Sequence, residues 1–400
     1  MAGPLEGIRV LDLTRNVAGP FATKLLADYG ADVLKVEPPD GDPSRHFGPF
    51  PDDVPHPERS GLFLHLNTNK RSITLDPSTA DGAALVVRLA AGVDIVLEDF
   101  PAGEAKRLGF GWDVLAEGRS DLVMASITPF GQSGPYRDYL GTEITLQAIG
   151  GPLRNTGHGE KEPLKLAGDT AHYHAGVTAA FAIMATRLRV EMGGEGDTID
   201  ISVYECQAGF RDRRTIFLTA ASYTGMTRNR PVPGSRLATG VRPCRDGYVN
   251  VLAGRDVKVL LRLIEREDLL DHPDIEKRPL EMPPQFMEEL EALYLGWLMQ
   301  HDKNDIIARA QELHILCGAI MTVEDLVTDA HYRGRGMWDT VEHPIAGTFE
   351  YPGRPLIMSA TPRAPLRRAP LLGEHNDEVY IDGLGMARDE LARLGAQGVV

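Results

Sequence analysis

From Ile8 to Ile127 the chain alternates short apolar runs with helix-length amphipathic ones, and no other feature restricts its fold as much. Ile8–Leu13 reads as a buried strand, Pro20–Tyr29 as a helix opened by proline and stopped at Gly30, and Asp32–Glu37 as a second strand. The pattern continues with strands at Ser72–Leu75, Asp94–Leu97 and Leu122–Ile127, separated by helices at Thr79–Ala91 and Trp112–Ala116. Strands that alternate with helices predict a doubly wound parallel sheet, an α/β fold with a Rossmann-like large domain. Glu37 at the end of the second strand invites a dinucleotide whose ribose it would bind. The turn after the first strand, Arg15-Asn16-Val17-Ala18-Gly19-Pro20, lacks the G-x-G-x-x-G that brings backbone against a pyrophosphate, so NAD is not expected.

Four hundred residues exceed one ordinary core, and a change of texture near Arg228 marks a second domain. The reading places the first part of the large domain at 1–225, a smaller α/β domain at 226–330, and a return to the large domain at 331–400. In the smaller part, Gly247–Leu252 reads as a strand, and Val257–Glu265, Pro284–Gln300 and Lys303–Leu313 read as helices. Arg388–Leu394 reads as a closing helix. The loop from Pro38 to Pro57, rich in Pro, Gly and Asp, has the length of a functional loop.

The formal charge of −15 excludes nucleic acid and anionic lipid as partners, since both require a basic face. No apolar run approaches the roughly 20 residues of a membrane span, and the N-terminal residues lack a secretory signal, so a cytoplasmic location is expected. Cys206, Cys244 and Cys317 stand apart with neither disulfide nor zinc spacing. Any anionic ligand therefore requires a local group of cations.

One stretch carries chemistry. Lys165-Leu-Ala-Gly-Asp169-Thr-Ala-His172-Tyr-His174 precedes a long run of small and apolar residues reading as a helix to Leu188, so Asp169 falls where helix N–H groups have no partner. Read alone, Asp169 is a helix N-cap. Glu143, in Gly141-Thr-Glu-Ile-Thr-Leu-Gln147, reads alone as a carboxylate at a helix start, and the two form a candidate carboxylate pair. His172 and His174 follow Asp169 on the same helix. Arg45, Arg236 and Arg242 are candidates to meet an acceptor carboxylate, against a surface role for each.

Seven separated segments, in order, resemble one family. They are Gly7-Ile-Arg-Val-Leu-Asp-Leu-Thr with Ala18-Gly-Pro, Gly30-Ala-Asp-Val-Leu-Lys-Val-Glu37, Asn69-Lys-Arg-Ser-Ile-Thr-Leu-Asp, Val96-Leu-Glu-Asp-Phe100, Arg107-Leu-Gly-Phe, Phe130-Gly-Gln-Ser-Gly-Pro-Tyr and Gly168-Asp-Thr. Together they resemble the family III CoA transferases, a group that includes formyl-CoA and carnitine CoA transferases and the α-methylacyl-CoA racemases. The resemblance implies a Rossmann-like large domain, a smaller α/β domain and two chains interlocked as rings in a homodimer. It implies an acyl-CoA donor, a carboxylic acid acceptor, coenzyme A as substrate, and no metal or redox cofactor.

By the same resemblance Asp169 is the covalent nucleophile and Glu143 a second catalytic carboxylate. The coenzyme would contact Val17, Ala18, Lys70, Asp99, Phe100 and Arg107. Val17 stands where formyl-CoA transferases carry Gln, Asp99 where Asn is usual, and Pro38 where an Arg often lies. The family's glycine-rich lid corresponds to Pro231-Val-Pro-Gly-Ser-Arg236, which holds a single glycine. Racemases of the family place a His-Asp pair where this chain has Thr142-Glu143. The alternatives to transfer are α-proton exchange by a racemase or isomerase, and a CoA-binding protein without catalysis.

Overall fold

A computed structural model describes residues 3–209, 220–225, 230, 236–254, 256–277, 281–361 and 364–400. The chain divides into two compact units, one formed by Met1–Arg154, Lys165–Thr227 and Gly334–Val400, the other by Asn155–Leu164 and Arg228–Arg333. The corresponding lid segment, Pro231–Ser235, lies outside the described residues.

The first unit is built on six parallel strands: β1 (Arg9–Asp12), β2 (Asp32–Glu37), β3 (Arg71–Thr74), β4 (Ile95–Glu98), β5 (Val123–Thr128) and β6 (Asp197–Ser202). Their spatial order is β3-β2-β1-β4-β5-β6, so the winding reverses between β1 and β4, where Val10 pairs with both Val33 and Ile95. In such sheets the crevice beyond the carboxyl ends at the reversal is the place for a ligand. The expected mixed fold, with a parallel sheet at its centre, is what the chain adopts.

Alternate side chains of each strand feed two cores, because successive residues point to opposite faces. Leu11, Leu34, Ile73 and Val96 face one core, with Leu85, Val86 and Leu89 of α3 (Ala80–Ala90). Val10, Val33, Ile95 and Val123 face the other, covered by α1 (Ala18–Asp28) and α7 (Thr170–Glu191). Between these helices come α2 (Gly61–Leu66), α4 (Glu104–Leu108), α5 (Trp112–Leu115) and α6 (Glu143–Ile149). α7 meets the sheet through Ala171, Ala175, Ala179 and Ile183, all fully buried. Gly176 lets α1 come close: a Cβ there would stand 2.5 Å from the carbonyl oxygen of Ala18.

Charge is buried at the carboxyl ends of β1 and β2. The Asp12 carboxylate accepts from the hydroxyls of Thr14 (2.5 Å) and Thr23 (2.6 Å) and from Lys70 Nζ (3.1 Å), while Lys35 Nζ lies 2.8 Å from Asp42. Arg45 is the largest fully buried side chain. Its guanidinium donates to both oxygens of Glu37 (2.6 and 2.9 Å) and to Glu58 (2.7 Å), and its Cζ sits 3.6 Å from the centre of the Phe63 ring. The Pro38–Pro57 loop is thus anchored from within. This corrects two expectations at once: Arg45 is neither a surface residue nor available to an acceptor acid.

The second unit pairs β7 (Thr239–Cys244), β8 (Gly247–Leu252) and β9 (Cys317–Ala319) antiparallel, with helices Val257–Leu263, Pro284–Leu298 and Lys303–Glu312 around Val249, Val251, Leu260, Leu290 and Ile306. Arg242 is buried here and donates to Glu291 at 2.7 Å, so it too serves the fold. Arg236 remains exposed.

Removing one member of a buried ion pair costs about 3–5 kcal/mol, because its partner keeps an uncompensated charge. Arg45→Met is therefore expected to lower the free energy of unfolding measured in urea by that amount, and a loss under about 1 kcal/mol would show Glu37 to be adequately held by Ser72 and the Asp42 N–H alone.

Candidate active site

The strongest sequence feature, Gly168-Asp169, sits at the entry to α7. Gly168 takes φ +67°, a left-handed conformation that turns the chain into the helix and that L side chains adopt only with strain. Asp169 occupies the N-cap position by backbone, yet its side chain makes no capping hydrogen bond. The capping role passes to another element. Glu143, first residue of α6, accepts from the N–H groups of Ala171 (2.9 Å) and His172 (3.3 Å), the second and third residues of α7. Glu143 thereby satisfies the orphan donors that an N-cap side chain would take, and the Asp169 carboxylate is left half-buried with no protein partner among the described residues.

Glu143 is 8% exposed and receives two further bonds. Gln147, fully buried one turn along α6, donates from Nε2 to Glu143 Oε1 at 2.5 Å, while its Oε1 accepts the Leu166 N–H at 2.9 Å. One side chain thus links Glu143 to the segment that leads into Asp169. His172 Nδ1 lies 2.7 Å from Glu143 Oε2. Burial works to raise the Glu143 pKa, but the bonds from His172, the Ala171 N–H and Gln147 outweigh it and hold the carboxyl at about 2. An ionised carboxylate only accepts, so His172 Nδ1 must carry the proton of that bond. Burial and the neighbouring Asp169 both push the Tyr173 hydroxyl up.

Glu143, Asp169 and His172 offer ligand atoms within 4.8 Å of one another, the one such grouping among the described residues. Glu143 already accepts from four N–H groups, and His172 Nδ1 is committed to it. The Asp169 carboxylate and His172 Nε2 remain, two donors where a catalytic zinc takes three protein ligands. The donor set suits acid–base and nucleophilic chemistry better than metal binding.

A pocket of about 620 Å³ opens over the carboxyl ends of β1, β2 and β3, walled by Leu13, Arg15, Pro38, His46, Ser78 and Phe100 among others. Phe100 is half-buried, packs edge-on against Phe110, and carries the Arg15 guanidinium 5.6 Å from its ring centre. Val17 and Ala18 are buried at the start of α1. Asp99 accepts the Arg15 N–H at 2.8 Å, and burial pushes its carboxyl up to about 7 against the pull of Arg15. Burial does the same to neighbouring Glu98, also to about 7.

Two of the expected coenzyme contacts fall elsewhere. Lys70 is buried, its ammonium held by Asp12, the Pro20 carbonyl and Asn67 at 2.9–3.1 Å, and burial pulls its pKa down to about 8. It fastens α1 to the sheet and presents no free donor to a phosphate. Arg107 is exposed and pairs with Glu104, one turn earlier on α4. Arg15 and Gln147 are the residues that reasoning from sequence passes over, and His172 enters it only as a neighbour of Asp169 on its helix. Gln147 could have been found by spacing, since it stands four residues from Glu143 on α6.

Sequence comparison identifies the family: the chain belongs to CoA-transferase family III, whose model matches residues 5–376. It is 34% identical to a formyl-CoA:oxalate CoA-transferase of Streptomyces avermitilis, over the whole of both chains. It is 31% identical to a succinyl-CoA–D-citramalate CoA-transferase of Chloroflexus aurantiacus, covering 99% of this chain and 98% of that one. Among solved structures, a CAIB/BAIF family protein from Brucella suis superposes with a TM-score of 0.82 at 29% identity, covering 96% of this chain and all of the other. The chain is accordingly a CoA transferase, an enzyme class that uses an acyl-CoA donor and a carboxylate acceptor. Among the described residues no helix is long and apolar enough to cross a membrane.

The depressed pKa of Glu143 makes a signed prediction. A carboxyl whose folded pKa lies below its unfolded value stabilises the protein fully above the unfolded value, about 4.5, and loses that contribution as pH falls towards 2. Glu143→Gln should cost about 1–2 kcal/mol at pH 7 and should flatten the acid limb of urea midpoint against pH. An unchanged acid limb would show that Glu143 does not cap α7.

Proposed function

We propose that this enzyme moves CoA between carboxylic acids through covalent intermediates on Asp169. The observation that carries the reading is the division of labour at α7: Glu143 caps the helix, and Asp169 stays free in the field of the same N-terminus. The Asp169 carboxylate attacks the donor thioester, giving a mixed anhydride and CoA thiolate. The thiolate returns to the aspartyl carbonyl and releases the donor acid, leaving an aspartyl-CoA thioester. The acceptor acid attacks that thioester, and the thiolate finally takes the acceptor's acyl group. Covalent catalysis of this kind divides one hard displacement into easier ones. The Thr170 N–H, first in α7 and without an acceptor in the described chain, is the donor left to steady an oxyanion at Asp169.

The pocket beyond β1 to β3 supports the coenzyme's placement, with Phe100 as a face for adenine and Arg15 as the cation for phosphate. The relatives named above act with oxalate and with D-citramalate, both short dicarboxylic acids, and the acceptor here is assigned to that class. Buried, apolar Val17 offers no hydrogen bond where formyl-CoA transferases carry Gln, which favours an acceptor bulkier than oxalate. The working form is a homodimer. Phe181 and Leu188 on α7 and Met192 at its C-cap stand 75%, 59% and 80% exposed, an apolar edge that a second copy would cover.

Intact-mass analysis after incubation with formyl-, acetyl- and succinyl-CoA tests the reading, with hydroxylamine to trap an activated aspartyl group. A CoA adduct on the wild type and none on Asp169→Ala is the expected result. An adduct on both proteins, or α-proton exchange in heavy water with no adduct, would overturn it.

A further inference from the structure

Transfer through Asp169 needs no base, because the nucleophile, the returning thiolate and the acceptor acid are all anions. The site nevertheless holds a base with its orienting group. His172 follows Asp169 by one helical turn, and its Nδ1–H donates to Glu143 at 2.7 Å. In the neutral imidazole this leaves the lone pair on Nε2, the arrangement in which a carboxylate fixes tautomer and ring orientation for general-base work. His172 Nε2 has no partner among the described residues and is not among the buried unpartnered atoms, so it meets solvent. A ring nitrogen of His172 and an oxygen of Asp169 lie within 4.8 Å.

We propose that, when no acceptor acid is bound, this site hydrolyses acyl-CoA thioesters, with His172 as general base for water and Glu143 as its orienting carboxylate. The proposal rests on Asp169 as covalent nucleophile. An Asp169 oxygen bonds to the acyl carbon and the C–S bond breaks, giving anhydride and CoA thiolate. The water oxygen then bonds to Cγ of Asp169 as its proton passes to His172 Nε2. The Cγ–O bond to the acyl group breaks, the acid leaves as its carboxylate, and Asp169 retains the water oxygen. Asp169 loses the second water proton to solvent, and the His172 proton goes to the thiolate. The sum is acyl-CoA and water giving carboxylate, a proton and CoA.

General-base assistance contributes about 10²–10⁴-fold, so His172→Gln should lower the ratio of hydrolysis to transfer about a hundredfold. The experiment uses the full-length protein with formyl-, acetyl- or succinyl-CoA and no acceptor, following thiol release with a chromogenic disulfide and repeating one turnover in heavy-oxygen water. Thiol release with one heavy oxygen in the Asp169 peptide, and none in the acid released, is the expected result. No thiol release from any of the three, label in the acid alone, or an unchanged ratio in His172→Gln would each overturn the proposal. The label is read on the wild type, so the result does not depend on how the variant folds. Transfer with an Asp169 adduct but no hydrolysis would sink this inference alone, whereas hydrolysis without any adduct or transfer would sink the covalent reading beneath it.

Discussion

Six charged side chains are buried together at the carboxyl ends of β1 and β2, and the architecture of the ligand crevice depends on how they neutralise one another. Asp12 and Lys70 meet at 3.1 Å, Lys35 and Asp42 at 2.8 Å, and Glu37 is closed by Arg45 from the following loop. Burial alone would raise Asp12, yet Lys70, Lys35 and the two threonine hydroxyls bring it down to about 2. Buried ion pairs add little net stability compared with apolar packing, so their value lies in position. They tie the turn after β1, the loop after β2 and the start of β3 into one rigid frame. That frame sets where the chain crosses from β1 to α1, and hence where α1 meets α7.

The meeting of α1 and α7 carries the constraint on to Glu143 and Asp169. Gly176 and the alanines at 171, 175 and 179 let α7 lie flat against sheet and helix, which fixes the position of its N-terminus. Two carboxylates then compete for one set of orphan N–H groups. Glu143 wins because α6 approaches from the side, and because Gln147 and His172 hold it in place with hydrogen bonds of their own. Asp169, already at the N-cap by backbone, keeps the favourable field without the bond that would immobilise it. Asp169 is thus the carboxylate at this helix start that no protein donor engages among the described residues.

What the sequence made legible follows from the range of the signals. Strand and helix placement in the parallel sheet came through almost unshifted, Asp32–Glu37 to the residue, because buried parallel strands are continuous apolar runs with sharp polar boundaries. β7, β9 and the hairpin of Trp338–His343 with Gly347–Pro352 left weaker traces, since short antiparallel strands depend on partners distant in the chain. Asp169 and Glu143 were visible as residues, but their division of roles was not. Which carboxylate takes the helix N–H groups is decided by the approach of α6, a tertiary fact. Lys70 and Arg45 were misplaced for the opposite reason: a cation in a loop is usually solvated, and only the frame around Asp12 and Glu37 shows it to be internal.

The same internal use of cations shapes how this acidic protein can bind a coenzyme with several phosphates. Lys24, Lys35, Lys70 and Arg45 all lie near the crevice in sequence, and all are paired inside the protein. Arg15 is the one guanidinium among the described walls of the pocket, beside Phe100. With a formal charge of −15 over the chain, long-range attraction opposes a phosphorylated ligand instead of drawing it in. What the described pocket walls offer such a ligand acts at close range: one guanidinium and an aromatic face. Such contacts act only once the ligand is seated. A coenzyme seated in this pocket would be held by shape and local contacts more than by field, and salt should weaken that hold less than it would for a basic cleft.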